Sequence, residues 1–124
     1  MRYHLSLGAL LGALAVALGA FGAHALRGML APEFMAIYEK ATYYQLAHAI
    51  ALALVGVLGE RAPRPGIGVA GTLFLVGIVL FSGSLYLIAL TGIVVLGAIT
   101  PLGGLCFMAG WLMLARAAWP VRED

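Results

Sequence analysis

The sequence has few charged residues and a single cysteine. Lys, Arg, Asp and Glu make up 10% of the 124 residues, whereas soluble domains contain roughly a quarter. Cys106 has no second cysteine in the chain to pair with, so an intrachain disulfide and a cysteine-rich zinc site are both excluded. The seven basic residues are scattered between apolar blocks and form no patch, so we expect no nucleic-acid partner.

Acidic residues are absent from the long apolar segments. All five lie outside them, at Glu33, Glu39, Glu60, Glu123 and Asp124. A Ser-His-Asp set therefore cannot form inside a membrane, and the buried carboxylate on which proton and cation carriers normally rely is missing. We predict that the protein is not an enzyme, with no catalytic residue and no metal site, and the sequence specifies no cofactor.

Long apolar runs are what the sequence has in abundance. Hydrophobic residues make up 64% of it and the mean hydropathy is +1.07. Four segments are long enough to cross a bilayer, namely residues 5–26, 41–59, 67–90 and 97–118. The charged loop at residues 60–66, with two prolines, separates the second from the third. The sequence therefore predicts an all-α integral membrane four-helix bundle in one domain, residues 1–124, with the lipid bilayer as its solvent.

The first apolar segment has two interpretations. Arg2, the apolar run after it and Ala23-His24-Ala25 imitate a secretory signal with a cleavage site. The run from Leu5 to Leu26 is, however, as long as a full membrane crossing, which favours a retained helix. Small residues recur along it at steps of three and four, at Gly8, Gly12, Ala15, Gly19 and Gly22. This stripe predicts close packing against another helix, either within the chain or in a homo-oligomer.

The other segments carry local signals at their ends. Pro32 is well placed as a first helical residue, and residues 29–40 are interpreted as an interfacial extension leading into the second crossing. The fourth crossing has an ambiguous start, because Pro101 either kinks a helix that began near Ile93 or follows an N-cap at Thr100; we favour the cap. Trp111 is expected to lie deep in the membrane, with Trp119 at the interface.

Positive charge predicts the orientation of the bundle. With four crossings, five arginines lie on the side of the two termini, at Arg2, Arg61, Arg64, Arg116 and Arg122. The other side carries only Arg27 and Lys40. Because the cytoplasmic side of a membrane protein is enriched in Lys and Arg, both termini are predicted to be cytoplasmic, in the inner (plasma) membrane.

Polar residues inside the predicted crossings form the candidate site. Counted at 1.5 Å per residue, they fall in one layer in the outer half of the bilayer. The layer consists of His24, Tyr44, Gln45, His48, Ser82, Ser84, Tyr86 and Thr100. Such groups either satisfy one another in an interhelical hydrogen-bond network or form a ligand site, and two imidazoles on different helices could bind haem iron, copper or a quinone.

Four ordered motifs resemble a known family. They are residues 19–26 (GAFGAHAL), 44–49 (YQLAHA), 81–92 (FSGSLY followed by LTG) and 97–111 (GAITPLGG followed by GW). Together they resemble the YgdD/YwdK-like small membrane proteins, over most of the chain from about Gly8 to Ala115. The resemblance implies an uncleaved first helix and a compact four-helix protein, but no reaction, because that family is a domain of unknown function.

These observations lead to one functional expectation with two alternatives. We expect a scaffold or accessory subunit, or a binder of a hydrophobic ligand through the polar layer. The first alternative is an electron-transfer subunit that binds haem, copper or a quinone through His24 and His48. The second is an oligomeric transporter of small solutes or lipids. A second copy of the chain or another membrane protein is left open as a partner.

Overall fold

The computed structural model describes residues 2–122. Its four long helices are α1 (His4–Leu26), α2 (Pro32–Arg61), α3 (Ile67–Thr91) and α4 (Thr100–Ala118). Each is long and apolar enough to cross a membrane, α4 together with the short 3-10 helix Val94–Ala98 before it. The predicted all-α membrane fold is confirmed; Met1, Glu123 and Asp124, which belong to the predicted single domain, lie outside the described residues.

Prolines and glycines set the helix ends. Pro32 occupies the first turn of α2, as predicted, where its missing N–H leaves no hydrogen bond unmade. Gly66 precedes α3 with φ +92° and Gly92 ends it with φ +73°, both in the left-handed region that glycine adopts without strain.

Helix α2 is longer than the predicted crossing at residues 41–59, because it runs unbroken from Pro32 to Arg61. Its first turns form part of the bundle. Tyr38 is 2% exposed and packs with Leu26 of α1 and Ala89 of α3.

Helices α2 and α3 form the centre of the bundle. They pack against each other, while α1 packs mainly on α2 and α4 mainly on α3. In the apolar stretches of α2 and α3, 44% of the residues are buried. The corresponding share is 17% for α1 and for the segment that contains α4. The two outer helices therefore present broad apolar faces to the surrounding lipid.

The stripe of small residues on α1 packs inside the chain. Gly8 lies so close to α2 that an added Cβ would be 2.5 Å from the Ala53 nitrogen, and Gly56 of α2 is equally close to the backbone of Leu5. Ala15 is buried, and Gly22 accommodates the ring of Tyr38. These contacts support internal packing between antiparallel helices for the part of the stripe that they cover.

Apolar side chains fill the half of the bundle that contains the 60–66 loop. The main core cluster includes Leu52 and Val55 of α2, Phe74 and Ile78 of α3, and Leu114 of α4. The interhelical hydrogen bonds of Gln45, Ser82 and Ser84 lie toward the other end, whereas the His4 imidazole of α1 packs beside Gly71 in this half.

A hydrogen-bonded polar layer and an aromatic groove

Gln45 is the polar residue that connects the most helices. Its side chain is 2% exposed, and its Nε2 donates to the backbone oxygen of Leu11 in α1 over 2.9 Å. Its Oε1 accepts a hydrogen bond of 2.6 Å from the hydroxyl of Tyr86 in α3. One amide on α2 therefore joins three helices, which supports the interpretation of the layer as an interhelical network.

Two serines extend this network from α3 to both of its neighbours. The Ser82 hydroxyl donates to the backbone oxygen of Ala41 in α2 over 2.8 Å. Ser84 lies two residues further, about 200° around the helix, and its hydroxyl is 2.6 Å from that of Thr100 at the start of α4. Both serines are buried because α3 lies between α2 and α4.

Thr100 does not act as the N-cap of α4 that the sequence predicts. The expected N-cap has no side-chain hydrogen bond in the structure; instead, α4 already includes Thr100, and Ile99 precedes it. The hydroxyl bonds across to Ser84, since a bond to a neighbouring helix satisfies it equally well. Pro101 does lie in the first turn, as the favoured interpretation requires.

His48 is held by hydrogen bonds at both ring nitrogens. Trp111 of α4 places its Nε1 3.0 Å from His48 Nε2, and an indole nitrogen can only donate. The proton therefore sits on Nδ1, which donates to the backbone oxygen of Tyr44 over 2.7 Å. This pattern describes a neutral imidazole in one fixed tautomer.

Aromatic rings surround the His48 imidazole. Its centroid is 3.6 Å from that of Phe107 in a stacked arrangement, and Tyr44 and Phe74 pack close by. Tyr44 also contacts Phe81 at a centroid distance of 4.6 Å. Tyr44 thus contributes its ring and its backbone oxygen to the site.

His24 does not join the layer in which it was predicted. It is exposed on the last turn of α1, where Gly22 and Leu26 are buried against the bundle. Residues 22–26 form a π-helical turn, in which a residue two positions from Gly22 lies on the opposite side of the helix, so His24 faces away from α2. The two histidines therefore do not face each other as paired ligands would.

Several residues of the polar layer and the aromatic groove were not identified from the sequence. Trp111 is 45% exposed, but its indole nitrogen donates to His48 and its ring packs edge-on against Phe74. The Tyr38 hydroxyl donates to the backbone oxygen of Leu18, and the ring packs edge-on against Tyr86. Phe107 had no feature that distinguished it from other apolar residues. For Tyr38 a signal was available: it lies seven residues before Gln45, on the same face of α2, and could have been assigned to the same network.

A lipid-open groove borders the His48 imidazole. Its volume is about 360 Å³, within the range of roughly 300–1,000 Å³ typical of small-molecule sites. The groove is lined by Tyr44, His48, Phe81, Gly104, Phe107, Met108 and Trp111. Within residues 2–122, no group of three or more His, Cys, Asp or Glu side chains is arranged to hold a metal ion.

Most of the chain is similar to known membrane proteins of unknown function. The family described as "Protein of unknown function (DUF423)" matches residues 18–104. A UPF0382 membrane protein of Staphylococcus haemolyticus is 49% identical over 114 residues, which cover 92% of this chain and 93% of the relative. The UPF0382 membrane protein YwdK of Bacillus subtilis is 44% identical over 119 residues, covering 95% and 97%. No solved structure gives a significant match.

Proposed function

We propose a ligand-binding role for this chain, which belongs to the DUF423 family of proteins of unknown function. The protein is a small multi-pass protein of the inner membrane. In our proposal, the groove beside His48 binds a hydrophobic molecule that carries a ring and one hydroxyl or carbonyl group. The observation that supports this most directly is a buried imidazole, 6% exposed, at the edge of an aromatic groove that is open to lipid.

The hydrogen bond between His48 and Trp111 gives the groove its polar specificity. A ligand hydroxyl could donate to His48 Nε2 once the half-exposed indole of Trp111 turns away. A ligand carbonyl could instead accept the Trp111 N–H. The surrounding rings offer stacking surfaces, so a flat apolar ligand would bury its faces while its polar group is satisfied.

The other candidate functions receive less support from this geometry. A haem or copper site would need a free nitrogen of His48, whereas both are engaged in hydrogen bonds, and His24 is exposed on α1. A transporter needs a polar path, whereas the 60–66 half of the bundle has an apolar core cluster, beside which His4 Nδ1 is buried without a hydrogen-bond partner. A scaffold or accessory role is the coarser alternative, because the polar layer is satisfied without any ligand. Among the lining residues no carboxylate or serine faces the groove, so we propose binding and not catalysis.

The groove predicts a ligand titration that depends on His48. Full-length Trp119→Phe protein in nanodiscs, with Trp111 as its only tryptophan, is titrated with a naphthoquinone that bears a short prenyl tail, oxidised or reduced. We expect saturable quenching of Trp111 fluorescence. His48→Leu should weaken binding of the reduced, hydroxyl-bearing form by about tenfold, because one buried hydrogen bond contributes roughly 1–1.5 kcal/mol.

Tyr43→Phe is the matched control. Tyr43 is five residues before His48 on α2, but it is 70% exposed and does not line the groove. It should bind like the parent protein. Quenching that rises linearly with probe, without saturation, in the parent and in His48→Leu alike would mean partition into the bilayer and would contradict the proposal.

We also infer that both termini are cytoplasmic. The contacts of Gly8 and Gly56 support antiparallel α1 and α2, which puts Arg2 and Arg61 at one end and Arg27 at the other. A cysteine is introduced at Val121, which is 84% exposed, in a Cys106→Ala background. An impermeant maleimide should label it in inside-out vesicles but not in intact spheroplasts. Met29→Cys should give the opposite pattern. Labelling of Val121→Cys in intact spheroplasts would show that the C-terminus is outside and would contradict the inferred orientation.

A further inference from the structure

A second groove lies at the opposite end of the bundle, between the end of α2, the start of α3 and the end of α4. Its volume is about 210 Å³, below the size of a typical site for a whole small molecule. Its lining is apolar except for one arginine: Leu58, Ala62, Arg64, Ile67, Leu114, Ala117 and Ala118. Its apolar walls and small size suit a segment of an acyl chain whose remainder stays in the bilayer.

Arg64 is fixed at the mouth of this groove. Its Nη1 donates to the backbone oxygen of Ala117 over 3.2 Å, at the end of α4. That bond uses one of the five N–H donors of the guanidinium, so others can reach a phosphate. Arg61 and Arg116 are exposed and adjoin the lining residues Ala62 and Ala117 in the chain.

The charge at this end of the molecule favours an anion. In the sequence, the segments that surround the groove contain four basic residues, Arg61, Arg64, Arg116 and Arg122. The same segments contain three acidic residues, Glu60, Glu123 and Asp124. Arg64 lines the groove, Arg61 and Arg116 adjoin its lining residues in the chain, and Glu60 is exposed at the end of α2. An apolar groove with arginine at its water-facing end matches a phospholipid in which the headgroup carries net negative charge.

We propose that this groove is a binding site for an anionic phospholipid. The phosphate contacts Arg64, with Arg61 and Arg116 adding attraction, and the first part of an acyl chain lies along Leu58, Ile67 and Leu114. Zwitterionic lipids bind more weakly because their ammonium group offsets the phosphate charge. The site is separate from the His48 groove, so each proposal can fail without the other.

Trp119 provides the test, because it directly follows the lining residue Ala118. The full-length protein is reconstituted in phosphatidylcholine vesicles that contain a few per cent of brominated phosphatidylglycerol or brominated phosphatidylcholine. The Trp119→Phe variant supplies the background from Trp111. We expect saturable quenching of Trp119 by the anionic lipid, well above that by the zwitterionic one. Arg64→Gln and Arg116→Gln should each lower this preference about fivefold, corresponding to roughly 1 kcal/mol per arginine.

Lys40→Gln is the matched control, since it removes one exposed cation at the other end of the bundle, and it should keep the preference. Arg64→Lys retains the charge and should keep most of it, which separates lost charge from a disturbed loop; circular dichroism confirms that each variant is helical. Equal quenching by the two lipids would overturn the proposal. So would a preference that survives in the triple variant Arg61→Gln, Arg64→Gln, Arg116→Gln, or one that Lys40→Gln lowers equally.

Discussion

A Gly8→Ala variant is expected to lose about 2–3 kcal/mol of stability, because α1 and α2 touch through their backbones at this glycine. The added Cβ would lie 2.5 Å from the Ala53 nitrogen and 2.7 Å from the Ala49 oxygen, and backbone atoms cannot move aside as a flexible side chain can. The helices would have to separate, and the packing on which helix association in lipid depends would weaken. Unfolding by SDS in mixed micelles, followed by circular dichroism, measures the loss.

Gly19→Ala is the matched control on the same helix. Nothing lies within 4 Å of a Cβ added there, so the variant should be as stable as the parent or gain up to about 1 kcal/mol from better helix propensity. The two substitutions are chemically identical and differ only in what the new methyl group meets. If Gly8→Ala proved as stable as Gly19→Ala, the close approach of α1 and α2 would be wrong.

Helix positions were predictable from the sequence because they depend on local chemistry. Pro32 marks the start of a helix by itself, and Gly66 and Gly92 mark ends through the conformation that only glycine adopts freely. The early turns of α2 were less predictable, since residues 32–40 mix charged and apolar side chains. Their burial depends on the contacts of Tyr38 with α1 and α3, which are long-range.

The meeting of polar side chains from different helices was also predictable, but not the direction of every side chain. Counting residues from a helix end gives height in the bilayer, and Gln45, Ser82 and Ser84 do lie among hydrogen-bonded neighbours. The direction depends on which helices pack together. His24 is exposed, because α1 contacts mainly α2 and not the whole bundle. The partnership of Trp111 with His48 required the same tertiary information.

A Gln45→Met variant is expected to lose about 1–3 kcal/mol of stability with little change in core volume. It removes the donor to the Leu11 oxygen and the acceptor of the Tyr86 hydroxyl. Single interhelical bonds in membrane bundles average about 0.6 kcal/mol, but this change also leaves the Tyr86 hydroxyl without its acceptor, which costs more. The SDS unfolding assay applied to Gly8→Ala measures this loss as well.

The Tyr86→Phe variant separates the bond itself from the cost of the unsatisfied hydroxyl. Alone it should lose about 0.5–1.5 kcal/mol, because the Gln45 oxygen loses its donor. The double variant Gln45→Met, Tyr86→Phe has no unsatisfied hydroxyl, so its loss should be smaller than the sum of the two single losses. Strictly additive losses would mean that the two side chains are not coupled. In that case Gln45 would stabilise the bundle only through Leu11, and its amide would not join three helices.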